Sequence, residues 1–171
     1  SPNEPGDRFC GACGTALEAA VPAPAPAPAT ERRMVSVLFA DLVGFTALSG
    51  PRDPEEVREL LSSYFETARR TIERHGGTVE KFIGDAVMAV FGAPVAHEDD
   101  PERAVNAALR AIAAVEELDG LAVRAAINTG EAVVTLGARP GEGEAMVAGD
   151  VVKQGQALAE SNRADLGGEP I

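Results

Sequence analysis

The sequence lacks the features that would place the chain in or across a membrane. It has no run of about 18 consecutive apolar residues, which is the length a helix needs to span a bilayer. It also lacks a basic start leading into an apolar stretch, so a secretory signal peptide is not indicated. These two absences predict a cytoplasmic protein with no membrane partner.

Positive charge is also scarce. The chain has 15 Lys and Arg residues against 27 Asp and Glu residues, which gives a formal net charge of -12. Nucleic acids and anionic membranes are bound through clustered Lys and Arg, so neither is expected as a partner. A polyphosphate ligand would need metal ions to offset the negative charge of this chain.

Cysteine is limited to Cys10 and Cys13, in the phrase RFCGACGTAL. A closed structural zinc site needs about four Cys or His ligands, and here two lie close together. The phrase resembles the second knuckle of a bacterial zinc ribbon, so residues 1–19 are interpreted as a partial zinc-ribbon-like segment in a chain that starts within the motif. The pair could instead be a disordered dithiol. A thioredoxin-like redox site is disfavoured because no predicted strand precedes the pair.

Proline and alanine alternate from Ala20 to Ala29, which predicts a semi-rigid polyproline II linker over residues 20–30. A folded domain is expected to begin near Glu31. The chain has a one-domain length, and its apolar content of 45% is enough for a core.

The hydrophobic periodicity from there on predicts an α+β fold. The nearly continuous apolar run Met34–Ala40 predicts a strand that is covered on both faces or central in a sheet. A helix is predicted to start at Asp53-Pro54, and a second one at Asp100-Pro101 with Val105 and Leu109 on its buried side. The other predicted strands are 78–83, 86–91, 121–127 and 132–136, with turns at Gly84-Asp85 and Thr129-Gly130.

Two acidic residues stand where chemistry is expected. Asp41 ends the first predicted strand, in VLFADLVGFTAL, and Asp85 lies in the turn between two later strands. In a split βαβ sheet those strands are neighbours, and the two carboxylates would repel each other unless a cation lay between them. Mg²⁺ accepts one or two carboxylates together with substrate phosphates. The simpler interpretations are a helix N-cap for Asp41 and a turn former for Asp85.

The segment after Asp41 adds a possible phosphate contact. The backbone amides of Val43, Gly44, Phe45 and Thr46 lie at a predicted helix start, where unpaired N–H groups can bind a phosphate.

The joined motifs resemble a known family. FADLVGFT, HGGTVEKFIGDAVMAVFG, AHEDDPERAVNAAL, VRAAINTGEAV and AGDVV are together similar to the class III adenylate and guanylate cyclase catalytic domain over residues 31–152. The resemblance implies a ferredoxin-like (split βαβ) fold. The CxxC phrase before a Pro-Ala linker is similar to bacterial multidomain members that begin with a zinc ribbon.

The resemblance also implies a reaction and a site. Two Mg²⁺ or Mn²⁺ ions would be held by Asp41, Asp85 and the carbonyl of Leu42, and Lys81 would contact the purine. In a head-to-tail homodimer, the 3′-hydroxyl of ATP would attack the α-phosphate to give 3′,5′-cyclic AMP and pyrophosphate.

The sequence departs from the family pattern near its end. A second purine-specifying residue, a ribose-positioning Asn and a transition-state Arg are expected from the partner protomer, at the positions of Met146, Lys153 and Ala157. Met146 offers a weak acceptor, which leaves ATP against GTP open, and Ala157 cannot stabilise developing charge. Residues 153–171 are interpreted as a divergent tail that arises from a possible frameshift, with the C-terminal strands missing.

Two alternatives follow from these departures. A noncatalytic nucleotide-binding module could pair with an intact cyclase chain and lend it Asp41, Asp85 and Lys81. A polymerase-like palm nucleotidyltransferase would share the acid pair and the sheet, but nothing in the sequence resembles its primer-binding parts.

Overall fold

The chain forms an antiparallel sheet with helices on both faces. The computed structural model describes residues 29–118 and 121–165. Its strands are β1 (Thr30–Leu42), β2 (Thr78–Ile83), β3 (Ala86–Phe91), β4 (Val123–Thr135) and β5 (Val147–Ala148), and its helices are α1 (Phe45–Ser49), α2 (Pro54–Arg74), α3 (Asp100–Glu116) and α4 (Asp150–Asp165), with a 3₁₀ turn at Pro140–Glu142. The order of strands across the sheet is β2-β3-β1-β4-β5, and all neighbours are antiparallel.

The first strand is central, as its apolar run predicts. Alternate side chains of β1 enter two different cores, because successive residues of a strand point to opposite faces. Leu38 and Ala40 pack against α2 and α3, whereas Val37 and Phe39 pack on the other face, in the cluster that contains Val151 of α4. The predicted strand covered on both faces is therefore confirmed.

The start of α2 follows directly from its sequence. The Asp53 carboxylate accepts a hydrogen bond from the Glu55 amide at 2.9 Å, and Pro54 occupies the first turn. Tyr64 and Ile72 on the inner side of this helix are fully buried. The helix predicted from Asp53-Pro54 is confirmed.

The predicted turn at Thr129-Gly130 is wrong, because β4 runs without a break through both residues. Thr129 pairs with Ser36 of β1, and their hydroxyl oxygens lie 2.7 Å apart. A Cβ atom on Gly130 would lie 3.3 Å from Val151 Cγ2, so glycine here leaves room for α4. The Thr-Gly dipeptide marks a close helix contact instead of a turn.

The predicted buried side of α3 is also wrong in part. Val105 and Leu109 are exposed, whereas Ala107 and Ala111 are buried beside Ala104. Small side chains allow α3 to pack closely on the sheet. The buried side of the helix is therefore the one that carries these alanines, and not the one predicted from the larger residues.

The β4–β5 connection, residues 136–146, folds back across the sheet. Its 3₁₀ turn comes within 8 Å of β2, measured between Cα atoms, although β2 and β5 are at opposite edges of the strand order. Leu136, Ala138 and Met146 pack in the cluster on the α4 face. The sheet is therefore curled, with its two outer strands brought towards each other.

Some predictions concern residues that the structure does not describe, and one predicted boundary falls within a helix. Cys10, Cys13 and most of the 20–30 linker lie outside the described residues. The predicted boundary between residues 152 and 153 lies inside α4. Within the described part of the chain, no helix is long and apolar enough to cross a membrane.

Candidate active site

Asp41 and Asp85 lie at the same edge of the sheet. Asp41 is next to last in β1 and pairs with Ala86, the first residue of β3. Asp85 immediately precedes Ala86, in a turn that Gly84 makes possible with a φ of 61°. The predicted placement of the two acids is confirmed, while their role in binding metal stays a prediction.

Tyr64 connects the two acids electrostatically. Its hydroxyl donates a hydrogen bond to the carbonyl oxygen of Ala40 at 3.1 Å, one residue before Asp41. Burial raises the pKa of the Tyr64 phenol well above its ordinary value, and the negative charges of Asp41 and then Asp85 raise it further. Both carboxylates therefore act on one phenol, which stays a neutral hydrogen-bond donor.

Arg124 is the site residue that the sequence analysis did not single out. It lies opposite Asp41 on β4, with its Nε 2.6 Å from Asp41 Oδ1 and its Nη2 3.3 Å from Oδ2. The Arg124 and Asp41 side chains are only 11% and 7% exposed. The available signal was a lone arginine within the apolar strand VRAAI, where a buried charge needs a partner.

The donor atoms at this edge fit a hard divalent cation. The carboxylates of Asp41 and Asp85 and the carbonyl of Leu42 are oxygen ligands, which Mg²⁺ and Mn²⁺ prefer. A carboxylate has about four lone-pair positions, so Asp41 can bond Arg124 and still offer an oxygen to a metal. Among the described residues there is no cluster of three or more His, Cys, Asp and Glu, so any such site rests on the two acids.

One of the four backbone amides predicted to bind phosphate already has a partner within the fold. The Val43 amide donates to the Ala122 carbonyl at 2.8 Å, so it is used within the fold and its predicted phosphate contact is wrong. Gly44, at φ 67°, precedes the short helix α1, which begins at Phe45. First-turn amides have no acceptor within their own helix, so the phosphate contact stays a prediction for Gly44, Phe45 and Thr46.

The two predicted purine contacts differ in accessibility. Lys81 is exposed on β2, where it pairs with Met88 of β3. Met146 is only 3% exposed, and it packs in the α4-face core. In this single chain, Met146 could reach a ligand only if the β4–β5 connection moved.

Lys153 and Ala157 are both exposed on α4. They are four residues apart and therefore share one side of the helix. The side that meets the sheet carries Val151, whose carbonyl accepts a hydrogen bond from Asn128 Nδ2 at 3.0 Å, and Gly155, which lies against Phe39. The positions predicted to correspond to the family's Asn and Arg thus point away from the sheet, as contact with another chain would require.

The fold agrees with the comparison with known families. Residues 27–140, more than half of the chain, match the family model described as the adenylate and guanylate cyclase catalytic domain. The chain belongs to this family. The predicted family and the ferredoxin-like cyclase fold are therefore confirmed.

Curated relatives are much longer than this cyclase domain. Adenylate cyclase 1 of Rhizobium meliloti is 38% identical over 112 residues, which cover 60% of this chain and 17% of the relative. An uncharacterised protein of Mycobacterium tuberculosis is 34% identical over 157 residues, which cover 90% of this chain and 29% of the relative. The chain thus spans less than a third of either relative.

Solved cyclase structures have the same fold. The adenylyl cyclase CyaB from P. aeruginosa superimposes with a TM-score of 0.70 at 28% identity, covering 78% of this chain and 74% of that one. The guanylyl cyclase Cya2 gives a TM-score of 0.64 at 35% identity, covering 74% and 69%. Similar structures thus include cyclases named for either nucleotide, and family membership alone does not choose the purine.

Proposed function

We propose that this cyclase domain converts ATP to 3′,5′-cyclic AMP and pyrophosphate in the cytoplasm, as a head-to-tail homodimer with two Mg²⁺ or Mn²⁺ ions in each site. The observation that carries the proposal is the placement of Asp41 and Asp85 at the same sheet edge, with Arg124 bonded to Asp41. An acidic chain with a net charge of -12 binds a triphosphate through metal ions more readily than through its own cations.

The reaction is a displacement at phosphorus. The ribose 3′-oxygen forms a bond to the α-phosphorus while the bond from that phosphorus to the oxygen bridging to the β-phosphate breaks. Pyrophosphate leaves with that oxygen, and the hydroxyl proton passes to solvent. When bound, the metal ions make the 3′-hydroxyl easier to deprotonate and offset the charge on the leaving group.

The residues of the chain supply the positioning. Asp41, Asp85 and the Leu42 carbonyl would hold the ions, and Arg124 fixes the orientation of Asp41 through its two hydrogen bonds. Tyr64 restrains the end of β1 through its bond to Ala40. Lys81 presents hydrogen-bond donors to the purine and no acceptor, so ATP is the proposed substrate and GTP is the second candidate.

The transition-state half of the site is where this chain departs from its family. Ala157 has no group that could stabilise the developing charge, and loss of such a cation can cost roughly 10³ or more in rate. This departure supports the second candidate function, a nucleotide-binding partner that lends Asp41, Asp85 and Lys81 to an intact cyclase chain.

The test is cyclic nucleotide production from Mn-ATP, Mg-ATP and Mn-GTP. We expect the double variant Lys153→Asn, Ala157→Arg to turn ATP over roughly 10³-fold faster than the unaltered chain. Adding Asp85→Asn should abolish that activity, whereas Glu66→Gln, which changes an exposed acid on α2, should not affect it. Activity that survives Asp85→Asn would contradict the metal role, and faster turnover of GTP would reverse the choice of purine.

A further inference from the structure

Glu80 is a buried acid whose carboxyl group has no well-aligned hydrogen bond. Its residue surface is 4% exposed, and the donors that reach its oxygens among the described residues are the backbone amides of Val147 and Met146, in poor geometry. Buried polar side chains are nearly always hydrogen-bonded, so an orphaned one calls for a physical explanation. The cyclase reaction, as proposed above, makes no use of this group.

Glu80 is placed by an irregularity in strand pairing. Val79 pairs with Ala89 and Lys81 pairs with Met88, so Glu80 is an extra residue on β2 with no partner on β3. Such a bulge changes the direction of a side chain. The backbone amides of Val147 and Met146, at the far edge of the sheet, lie close enough to the Glu80 carboxyl to oppose the rise in its pKa.

The surroundings favour the uncharged acid. Burial raises the pKa of Glu80 above its ordinary value of 4.5, and the opposing effects of Lys81 and of the Val147 and Met146 amides are smaller. Charged groups on the neighbouring elements have partners of their own. The Arg139 guanidinium bonds Glu142, the Arg139 backbone amide donates to Glu144, Arg124 pairs with Asp41, and Lys153 pairs with Asp150.

We propose that Glu80, in its neutral form, is a positioning residue that keeps the β4–β5 connection packed against β2, and that loss of its proton releases the connection. A neutral carboxyl can remain in this apolar site, whereas a carboxylate there must regain water. The β4–β5 connection must move for water to enter, because it places Met146 and Val147 against Glu80. This inference does not depend on the reaction proposed above.

The direction of the pH effect follows from proton binding. The packed connection holds Glu80 at a higher pKa than the open one, so the packed form binds more protons. Its stability relative to the open form therefore falls as pH rises from about 4.5 through the raised pKa. For each unit by which packing raises the pKa, the ratio of the open to the packed form is tenfold higher at high pH than at low pH.

Hydrogen exchange in the whole chain tests the proposal. Protection factors of the amides in residues 136–147 would be measured across this pH range, relative to unstructured peptides at each pH, with the amides of α2 as an internal reference. We expect protection of the connection to fall with pH while α2 stays constant. Glu80→Gln and Glu80→Met should both remove the pH dependence, because neither side chain ionises.

Glu142→Gln is the matched control, because it neutralises an exposed acid in the same connection. This variant should keep the pH dependence of the unaltered chain. Protection that is independent of pH in the unaltered chain would overturn the proposal, and so would a pH dependence that persists in both Glu80 variants. Parallel changes in the connection and in α2 would also overturn it, because they would place the effect in global unfolding.

Discussion

At the scale of single residues, Asp41 has two roles that compete for its oxygens. It is a predicted metal ligand, and in this structure its carboxylate is held by two hydrogen bonds from Arg124. Both side chains are nearly buried, so removal of either one leaves a charge with little access to water. Arg124 therefore stabilises the fold and also fixes the orientation of Asp41 at the edge where metal binding is proposed.

Replacement of Arg124 separates these effects. Arg124→Gln should lower the free energy of unfolding by about 3 kcal/mol, the lower end for breaking a buried pair, because a tenth of Arg124 is exposed. Mn²⁺ should then raise the midpoint of thermal unfolding more in this variant than in the unaltered chain, since the cation replaces the lost positive charge.

The control for this experiment is Arg32→Gln, which breaks an exposed pair with Glu131 and should cost less than about 1 kcal/mol. Urea unfolding and thermal melts with and without Mn²⁺ provide the measurements. An equal response to Mn²⁺ in all three proteins would count against metal binding at Asp41.

The sequence located the acids but not the arginine for a physical reason. Asp41 and Asp85 stand at ends of elements, where local signals are strong: an apolar run that stops, and a Gly-Asp turn. Arg124 becomes a site residue only through the pairing of β1 with β4, which joins positions 83 residues apart. The burial of Met146 and of Glu80 likewise depends on the path of the β4–β5 connection, which no local pattern encodes.

At the scale of elements, glycine positions decide how α4 meets the sheet. A Cβ atom on Gly155 would lie 3.0 Å from the Phe39 ring, and one on Gly130 would meet Val151. The sequence analysis interpreted the first of these regions as a divergent tail and the second as a turn. Local propensity could not show that both glycines belong to one helix–sheet contact. The frameshift hypothesis for residues 153–171 stays a prediction that the coding DNA can test.

Substitution at this contact gives a second stability prediction. Gly155→Leu should destabilise the fold by about 1–3 kcal/mol, because the added side chain has to displace Phe39 or α4. Gln156→Leu, at the exposed neighbouring position, should change stability by no more than about 0.5 kcal/mol. Urea denaturation of the two variants tests the difference, and equal stabilities would show that α4 does not pack on Phe39.

At the scale of the whole molecule, the proposed site needs two chains. Asp41 and Asp85 belong to the sheet edge of one protomer, whereas the outward side of α4 with Lys153 and Ala157 would serve its partner. The proposed cyclase and the regulatory partner differ in whether a second, different chain is required for activity.

Mixing two versions of the chain tests whether one chain completes the active site of another. The first version is the unaltered chain, and the second carries Asp85→Asn with Lys153→Asn and Ala157→Arg. Alone, the unaltered chain should be roughly 10³-fold slower than the Lys153→Asn, Ala157→Arg dimer, and the second version should be inactive. A mixture contains dimers with one complete site. At equal amounts, random pairing completes about a quarter of all sites, so activity should reach about a quarter of that of the Lys153→Asn, Ala157→Arg dimer. An inactive mixture beside an active Lys153→Asn, Ala157→Arg dimer would show that the two versions do not pair.

The length of β1 has a mechanical consequence. The strand begins at Thr30, directly after residues 1–29, and runs about 40 Å to the edge that carries Asp41. It is hydrogen-bonded to β4 along its whole length and to β3 over its second half, so it cannot slide without breaking both ladders. A pull or twist applied upstream of Thr30 would therefore reach the carboxylate edge as a rigid displacement, with no flexible joint between Thr30 and Asp41 to absorb it.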